Sequence, residues 1–78
     1  QGEETSAKNS MVQTGCFVAG EVTDSTLLKG ARVNSGAVVK NCLIGEGAVI
    51  ESNARLTNLV VGHGTVVSAG HIQSEGTI

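Results

Sequence analysis

Few side chains in this chain can do chemistry at neutral pH, and their spacing limits what that chemistry can be. His63 and His71 are its two histidines, the natural candidates for metal ligands or a general base. They stand eight residues apart, with no third histidine and no carboxylate three residues before either. A catalytic zinc site takes three protein ligands, so this pair does not complete one. Cys16 and Cys42 are the two thiols. A reactive thiol needs an electropositive, accessible niche, whereas a free cysteine usually serves as a small packing residue. Glu46 and Glu51 give no paired acid–base geometry. The cations Lys8, Lys29, Arg32, Lys40 and Arg55 are scattered among acids, which reads as a solvated surface. No G-x-G-x-x-G or G-x-x-x-x-G-K-[ST] loop is present to cradle a phosphate. The expectation is that this stretch contains no catalytic, cofactor-binding or metal-ligating residue.

The elements that would position these groups show in an internal repeat. Asn41–Ile50 (NCLIGEGAVI) recurs earlier as Asp24–Val33 (DSTLLKGARV) and later as Asn58–Val67 (NLVVGHGTVV). The three copies open at a constant spacing, from Asp24 to Asn41 to Asn58. A fourth copy, Asn9–Val18 (NSMVQTGCFV), opens closer to the second than that spacing, so its coil is two residues shorter. Columns follow from this register. Val12, Leu27, Ile44 and Val61 share one, and Ile78 falls one full spacing beyond Val61. Val18, Val33, Ile50 and Val67 share another; Gly15, Gly30, Gly47 and Gly64 a third; Asn9, Asp24, Asn41 and Asn58 a fourth.

An aliphatic residue recurs every five or six positions, with a small residue two before it. Helical stripes need spacings of three and four, and plain two-residue alternation also fails. The pattern fits very short strands separated by sharp turns, three strands to a coil. Gly and Asn recur where the turn needs a left-handed backbone, which Gly adopts freely and Asn tolerates. One coil cannot bury its own aliphatics, but stacked coils put like on like and build a continuous core. The expected fold is therefore all-β: a parallel β-helix of about four coils, on the order of 20 Å long at the usual interstrand spacing. Both of its ends expose strand edges, which calls for a covering domain or subunit at one end at least.

In this register His63 shares a column with Lys29 and Glu46, an exposed turn tip where any polar residue serves. Cys16 aligns with Ala31, Ala48 and Thr65, and Cys42 with Ser25 and Leu59, in inward columns. Different columns argue against a disulfide, and the cytoplasm is the default compartment. After Gly70 strict counting puts Gln73 where Val39 and Leu56 sit, so the last coil is expected to be distorted, frayed or truncated, with Ile72 turned inward by a shortened step. Residues 1–8 read as a polar leader or linker and residues 9–78 as the β-helix domain, a fragment of a larger chain.

Composition agrees. There is no Trp, Tyr or Pro and a single Phe, Phe17, while Gly stands at 11 of 78 residues. That mix favours strands joined by tight turns. A net charge of −2, without a basic stripe or aromatic platform, excludes nucleic acid as an expected partner. No apolar run approaches the roughly 20 residues that span a bilayer, so no membrane partner is expected.

The hexads IGEGAV (44–49) and VGHGTV (61–66) resemble the hexapeptide repeat of left-handed parallel β-helices. The left hand is what the resemblance implies; the general rule for parallel crossovers points the other way. Three further stretches, NSMV..GC at Asn9–Cys16, GEV..S.L..G..V at Gly20–Val33 and GAVVKN at Gly36–Asn41, resemble the C-terminal domain of glucose-1-phosphate adenylyltransferases (ADP-glucose pyrophosphorylases). The resemblance covers about residues 8–70 and leans to the regulatory-type subunit. It implies a non-catalytic domain of a bacterial nucleotidyltransferase of glycogen biosynthesis, serving subunit assembly and allosteric control. The implied partners are an N-terminal catalytic domain of the same chain, other subunits, and a sugar-phosphate effector; no cofactor is implied for this stretch. Two alternatives stand beside it. One is a hexapeptide-repeat acyltransferase or carbonic anhydrase-like trimer, which uses an active-site histidine or a histidine triad. The other is a free-standing β-helical scaffold.

Overall fold

The computed structural model describes residues 7–78. In chain order the strands are β1 (Ala7–Lys8), β2 (Met11–Val12), β3 (Phe17–Val18), β4 (Glu21–Thr23), β5 (Thr26–Leu27), β6 (Arg32–Val33), β7 (Val38–Lys40), β8 (Leu43–Ile44), β9 (Val49–Ile50), β10 (Arg55–Val61), β11 (Val66–Val67) and β12 (Ile72–Thr77). Every pairing among them is parallel. No helix occurs among the described residues. The strands stack into three faces of a β-helix. The first face holds β2, β5, β8 and the ends of β10 and β12; the second holds β3, β6, β9 and β11; the third holds β1, β4, β7 and the starts of β10 and β12. Strand β1 begins at Ala7, so pairing on the third face already includes Lys8; residues 1–6 of the expected leader lie outside the described residues.

The corners explain why the coil is not three equal steps. From Leu27 the inward aliphatics step six residues to Val33, six to Val39, and five to Ile44. The first two corners are turned by glycine or asparagine three residues after the aliphatic, as at Gly30 (φ 71°) and Asn53 (φ 65°). The third corner is turned two residues after it, by Asp24, Asn41 or Asn58, at φ between 51° and 56°. Asn and Asp tolerate this backbone because a short polar side chain bonds locally. Here the side chains also bond from coil to coil: Asn9 Nδ2 donates to Asp24 Oδ1, and Asn41 Nδ2 to Asn58 Oδ1, each at 2.5 Å.

The short first coil loses its two residues at one place. Between Val18 and Val22 the corner is cut to Ala19-Gly20-Glu21, with no left-handed residue among them. Ala19 N–H donates to Val33 O at 2.7 Å and Glu21 N–H to Ala37 O at 2.8 Å, so the tightened corner stays in the ladder.

The core is a set of stacked columns. Leu27, Ile44 and Val61 on the first face, Val33, Ile50 and Val67 on the second, and Val22, Val39 and Leu56 on the third are all buried. Val12 and Ile78, at the two ends of the first column, are partly buried against it. No buried side-chain nitrogen or oxygen among the described residues lacks a hydrogen-bond partner, which is what an apolar interior demands.

The last coil corrects one expectation. No residue is skipped: β12 pairs with β10 in strict register, Arg55 opposite Ile72 and Leu56 opposite Gln73. Ile72 is therefore outward and 71% exposed, and Gln73 takes the inward column. The reason lies in the ladder. A one-residue slip would turn every side chain of β12 to the opposite face and would unseat Ile78 from the Val61 column. Gln73 accepts the inward place because no further rung stacks on it among the described residues, and its amide reaches His71 Nε2 (2.8 Å) and Glu75 O (3.3 Å).

Candidate functional site

The histidines do not meet. His63 lies exposed in the corner between the first and second faces, and its Nδ1 accepts a hydrogen bond from the Glu46 N–H at 2.8 Å. That bond has the unprotonated Nδ1 facing the Glu46 N–H and ties the His63 side chain to the coil below. His71 sits after the Gly70 corner, exposed, against Gln73. Among the described residues no group of three or more His, Cys, Asp or Glu side chains could hold a metal ion.

The thiols are both free. Cys42 is buried, and burial pushes its pKa above the ordinary 9.0, opposed by backbone hydrogen bonds at Leu59, Lys40 and Asn58. Its Sγ donates to Lys40 O at 3.1 Å. Cys16 is partly buried and donates to Leu28 O at 3.1 Å. A thiol held as a donor inside a stack is a packing group, not a nucleophile. Cys42 also ends a ladder that the column alignment alone did not disclose. Ser10 Oγ donates to Lys8 O and accepts the Ser25 N–H; Ser25 Oγ donates to Thr23 O and accepts the Cys42 N–H. The signal was a Ser-Ser-Cys run in one inward column, masked by Leu59 at the next place.

The charged groups disperse as well. Lys29 and Glu46 stand on the corner that carries His63, Arg32 on the second face, and Lys40 and Arg55 on the third. Arg32 is engaged: its guanidinium lies 5.0 Å from the centroid of the Phe17 ring, a cation–π contact. Glu51 starts the next corner, with its N–H bonded to Val67 O. The shortened first coil leaves a notch of about 230 Å³ lined by Ala19, Gly20, Glu21, Gly36, Ala37 and Val38. Glu21 is its one ionisable group, so it offers no acid–base pair and no anion cradle.

What the surface does offer is contact. The outward column of the first face runs Met11, Thr26, Leu43, Val60, with no charge in it. Met11, Leu43 and Val60 are all exposed. The second face adds Phe17, Val49 and Val66 around Arg32. The third face mixes Glu21, Val38, Arg55 and Ile72 with Thr23, Lys40 and Thr57. No helix among the described residues is long and apolar enough to cross a membrane.

A comparison with curated proteins returns no match. The family model for GlmU-like, C-terminal hexapeptide domains matches residues 1–74. The hexads 44–49 and 61–66, the parallel rungs of two or three residues and the roughly four-coil stack are the features of such a repeat, and it is membership of that hexapeptide-repeat class that supports the left-handed β-helix. The chain belongs to the family of GlmU-like C-terminal hexapeptide domains.

Proposed function

We propose that this β-helix is the non-catalytic assembly and regulatory domain of a glucose-1-phosphate adenylyltransferase subunit. Its place would be the cytoplasm, where sugar phosphates and ATP are found and where two free thiols are ordinary. The observation that carries the reading is the surface: two of the three faces present apolar outward columns around Met11, Leu43, Val60, Phe17 and Val66. Their side chains do nothing for the interior. Contiguous exposed apolar side chains are the mark of a contact surface. The resemblance of Asn9–Asn41 to the adenylyltransferase C-terminal domain supplies the rest. Regulation by a sugar phosphate would use exposed cations such as Lys29, Lys40 and Arg55 together with residues of the catalytic domain, since no single face gathers all of them.

The test takes the complete gene product. It should convert glucose 1-phosphate and ATP to ADP-glucose with release of pyrophosphate, measured by coupled assay. Leu43→Arg, which sets a charge on the uncharged face, should lower its mass in sedimentation while leaving its circular dichroism unchanged. A gene product without adenylyl transfer ends the enzymatic part of the reading. An unchanged mass in Leu43→Arg ends the assembly role of the first face.

A further inference from the structure

The apolar contact columns lie on the first and second faces; the third face carries charge, and the charge is lopsided. Its strands hold three of the chain's five cations, Lys8, Lys40 and Arg55, and one of its seven acids, Glu21. This face is therefore positive on a chain whose net charge is −2. Sequence order hides the asymmetry, because Lys40 and Arg55 lie nearly a full coil apart along the chain and become neighbours only when the coils stack.

Register sets those neighbours. One outward column reads Glu21, Val38, Arg55, Ile72, and the other reads Lys8, Thr23, Lys40, Thr57, Ser74. Lys40 and Arg55 stand diagonally across adjacent rungs, their Cα atoms about 8 Å apart at the usual rise and strand spacing. Arg55 lies between half-buried Val38 and Ile72, which is 71% exposed. Lys40 lies between Thr23 and Thr57. No side-chain hydrogen bond among the described residues engages the Lys40 ammonium or the Arg55 guanidinium. Asp24, at the corner beyond Thr23, is taken by Asn9 Nδ2. Glu21 stands diagonal to Lys40 on the rung below, and Val38 separates it from Arg55.

We infer that the third face docks an acidic segment of a partner protein, with one carboxylate on the Arg55 guanidinium, a second on the Lys40 ammonium, and an apolar side chain laid against Ile72. The partner's chemistry follows by complementarity. Two neighbouring cations call for two carboxylates at matching separation, and the exposed Ile72 calls for apolar cover. Side chains projecting from a sheet offer a surface and not the concave pocket that a small ligand takes. Arginine is among the commonest anchors at the centre of a protein interface, and its guanidinium can meet a carboxylate through two parallel hydrogen bonds. Thr57 Oγ1, beside both cations, adds a donor. Glu21 opposes the segment and weakens its hold. This face is separate from the apolar columns, and its charge is the same whether or not the parent protein transfers adenylyl groups.

Fluorescence anisotropy of a labelled peptide of alternating Glu and Val, titrated into the complete gene product at low salt, tests this; a peptide of alternating Gln and Val is the blank. The Glu peptide should bind and the Gln peptide should not. Arg55→Gln should weaken binding about tenfold, and Lys40→Gln and Ile72→Ser about threefold each. Glu21→Gln should tighten it about twofold. Lys29→Gln, at a different corner, should leave it unchanged, and circular dichroism should be the same throughout. No binding by the parent, or an equal loss in Lys29→Gln, would overturn the docking site. So would displacement by inorganic phosphate, beyond that by chloride at equal ionic strength, together with unaltered binding in Ile72→Ser, because the pair would then be a small-anion subsite. A lower sedimentation mass in Arg55→Gln would overturn it too, by showing that a second copy covers the face. Peptide binding by a gene product without adenylyl transfer would support the docking site while ending the enzymatic reading.

Discussion

Cys42, a buried free thiol bonded to a backbone carbonyl, has the most distinctive surroundings of any titratable side chain here. It stands where Ser25 stands one coil below, bonded in the same way to a carbonyl two residues back. A hydroxyl therefore fits the position, and Cys42→Ser should fold with the same coil-to-coil bonds. The two proteins should part at high pH. Burial raises the Cys42 pKa in the folded state, so the folded chain keeps a proton that the unfolded chain gives up. The stability from that difference is present below the unfolded value of 9.0 and is lost as pH rises through the folded value. Melting temperatures taken from about pH 8 to about pH 10.5 should fall more steeply for the parent than for Cys42→Ser. Parallel curves would mean that the thiol is not the group whose ionisation the fold resists. The sequence showed Cys42 in an inward column but not its bonds, because a column records which residues stack and says nothing of a partner two residues back.

Corners are the elements that set this fold, and they divide into those with room for a side chain and those without. Gly47 has φ 69° and open space where a Cβ would stand. Gly20 has no left-handed backbone, but a Cβ there would lie 2.4 Å from Ala37 O and 2.7 Å from Asn34 O. Both are backbone oxygens already bonded, Ala37 O to the Glu21 N–H of the neighbouring coil and Asn34 O to the Ala37 N–H of its own corner, and they cannot give way cheaply. Gly20→Ala should cost about 2–3 kcal/mol through overpacking, and Gly47→Ala about 1 kcal/mol through backbone strain. Urea unfolding of the two variants checks the ranking; equal losses would show that crowding at the short corner is relieved by relaxation. The corners at Asn41 and Asn58, two places after an inward aliphatic, lie off the spacing that marks the left-handed turns, whereas those at Gly15, Gly30 and Asn53 were legible from a Gly or Asn three places after one. Gly20 was not, because its reason is a neighbour on the next coil, Ala37, brought close by a two-residue gap. The Ile72 expectation failed on the same ground. Hydrophobicity favoured turning Ile72 inward, yet the register of the whole rung is fixed by backbone bonds and by Ile78, and one apolar side chain does not outweigh them.

Viewed as a whole, the molecule is a one-dimensional stack in which each coil touches only the coils above and below. Stability in such a stack is a sum of coil and interface contributions, so the number of coils is adjustable but their phase is not. Removing residues 41–57 joins Lys40 to Asn58, which continues every column: Val39 to Val61 spans the same five steps as Val39 to Ile44. That shortened chain should fold to the same strand signal by circular dichroism and unfold at a lower urea concentration. Removing residues 41–56 instead inserts Thr57 at the corner, takes the left-handed turn away from asparagine and offsets every inward side chain from there to Ile78 by one place. An offset of one moves an inward column outward, so this longer chain should be the less stable of the two and should show no cooperative melt. If the longer chain is the more stable, retained length matters more than phase, and the repeat does not specify the fold in the way its columns imply.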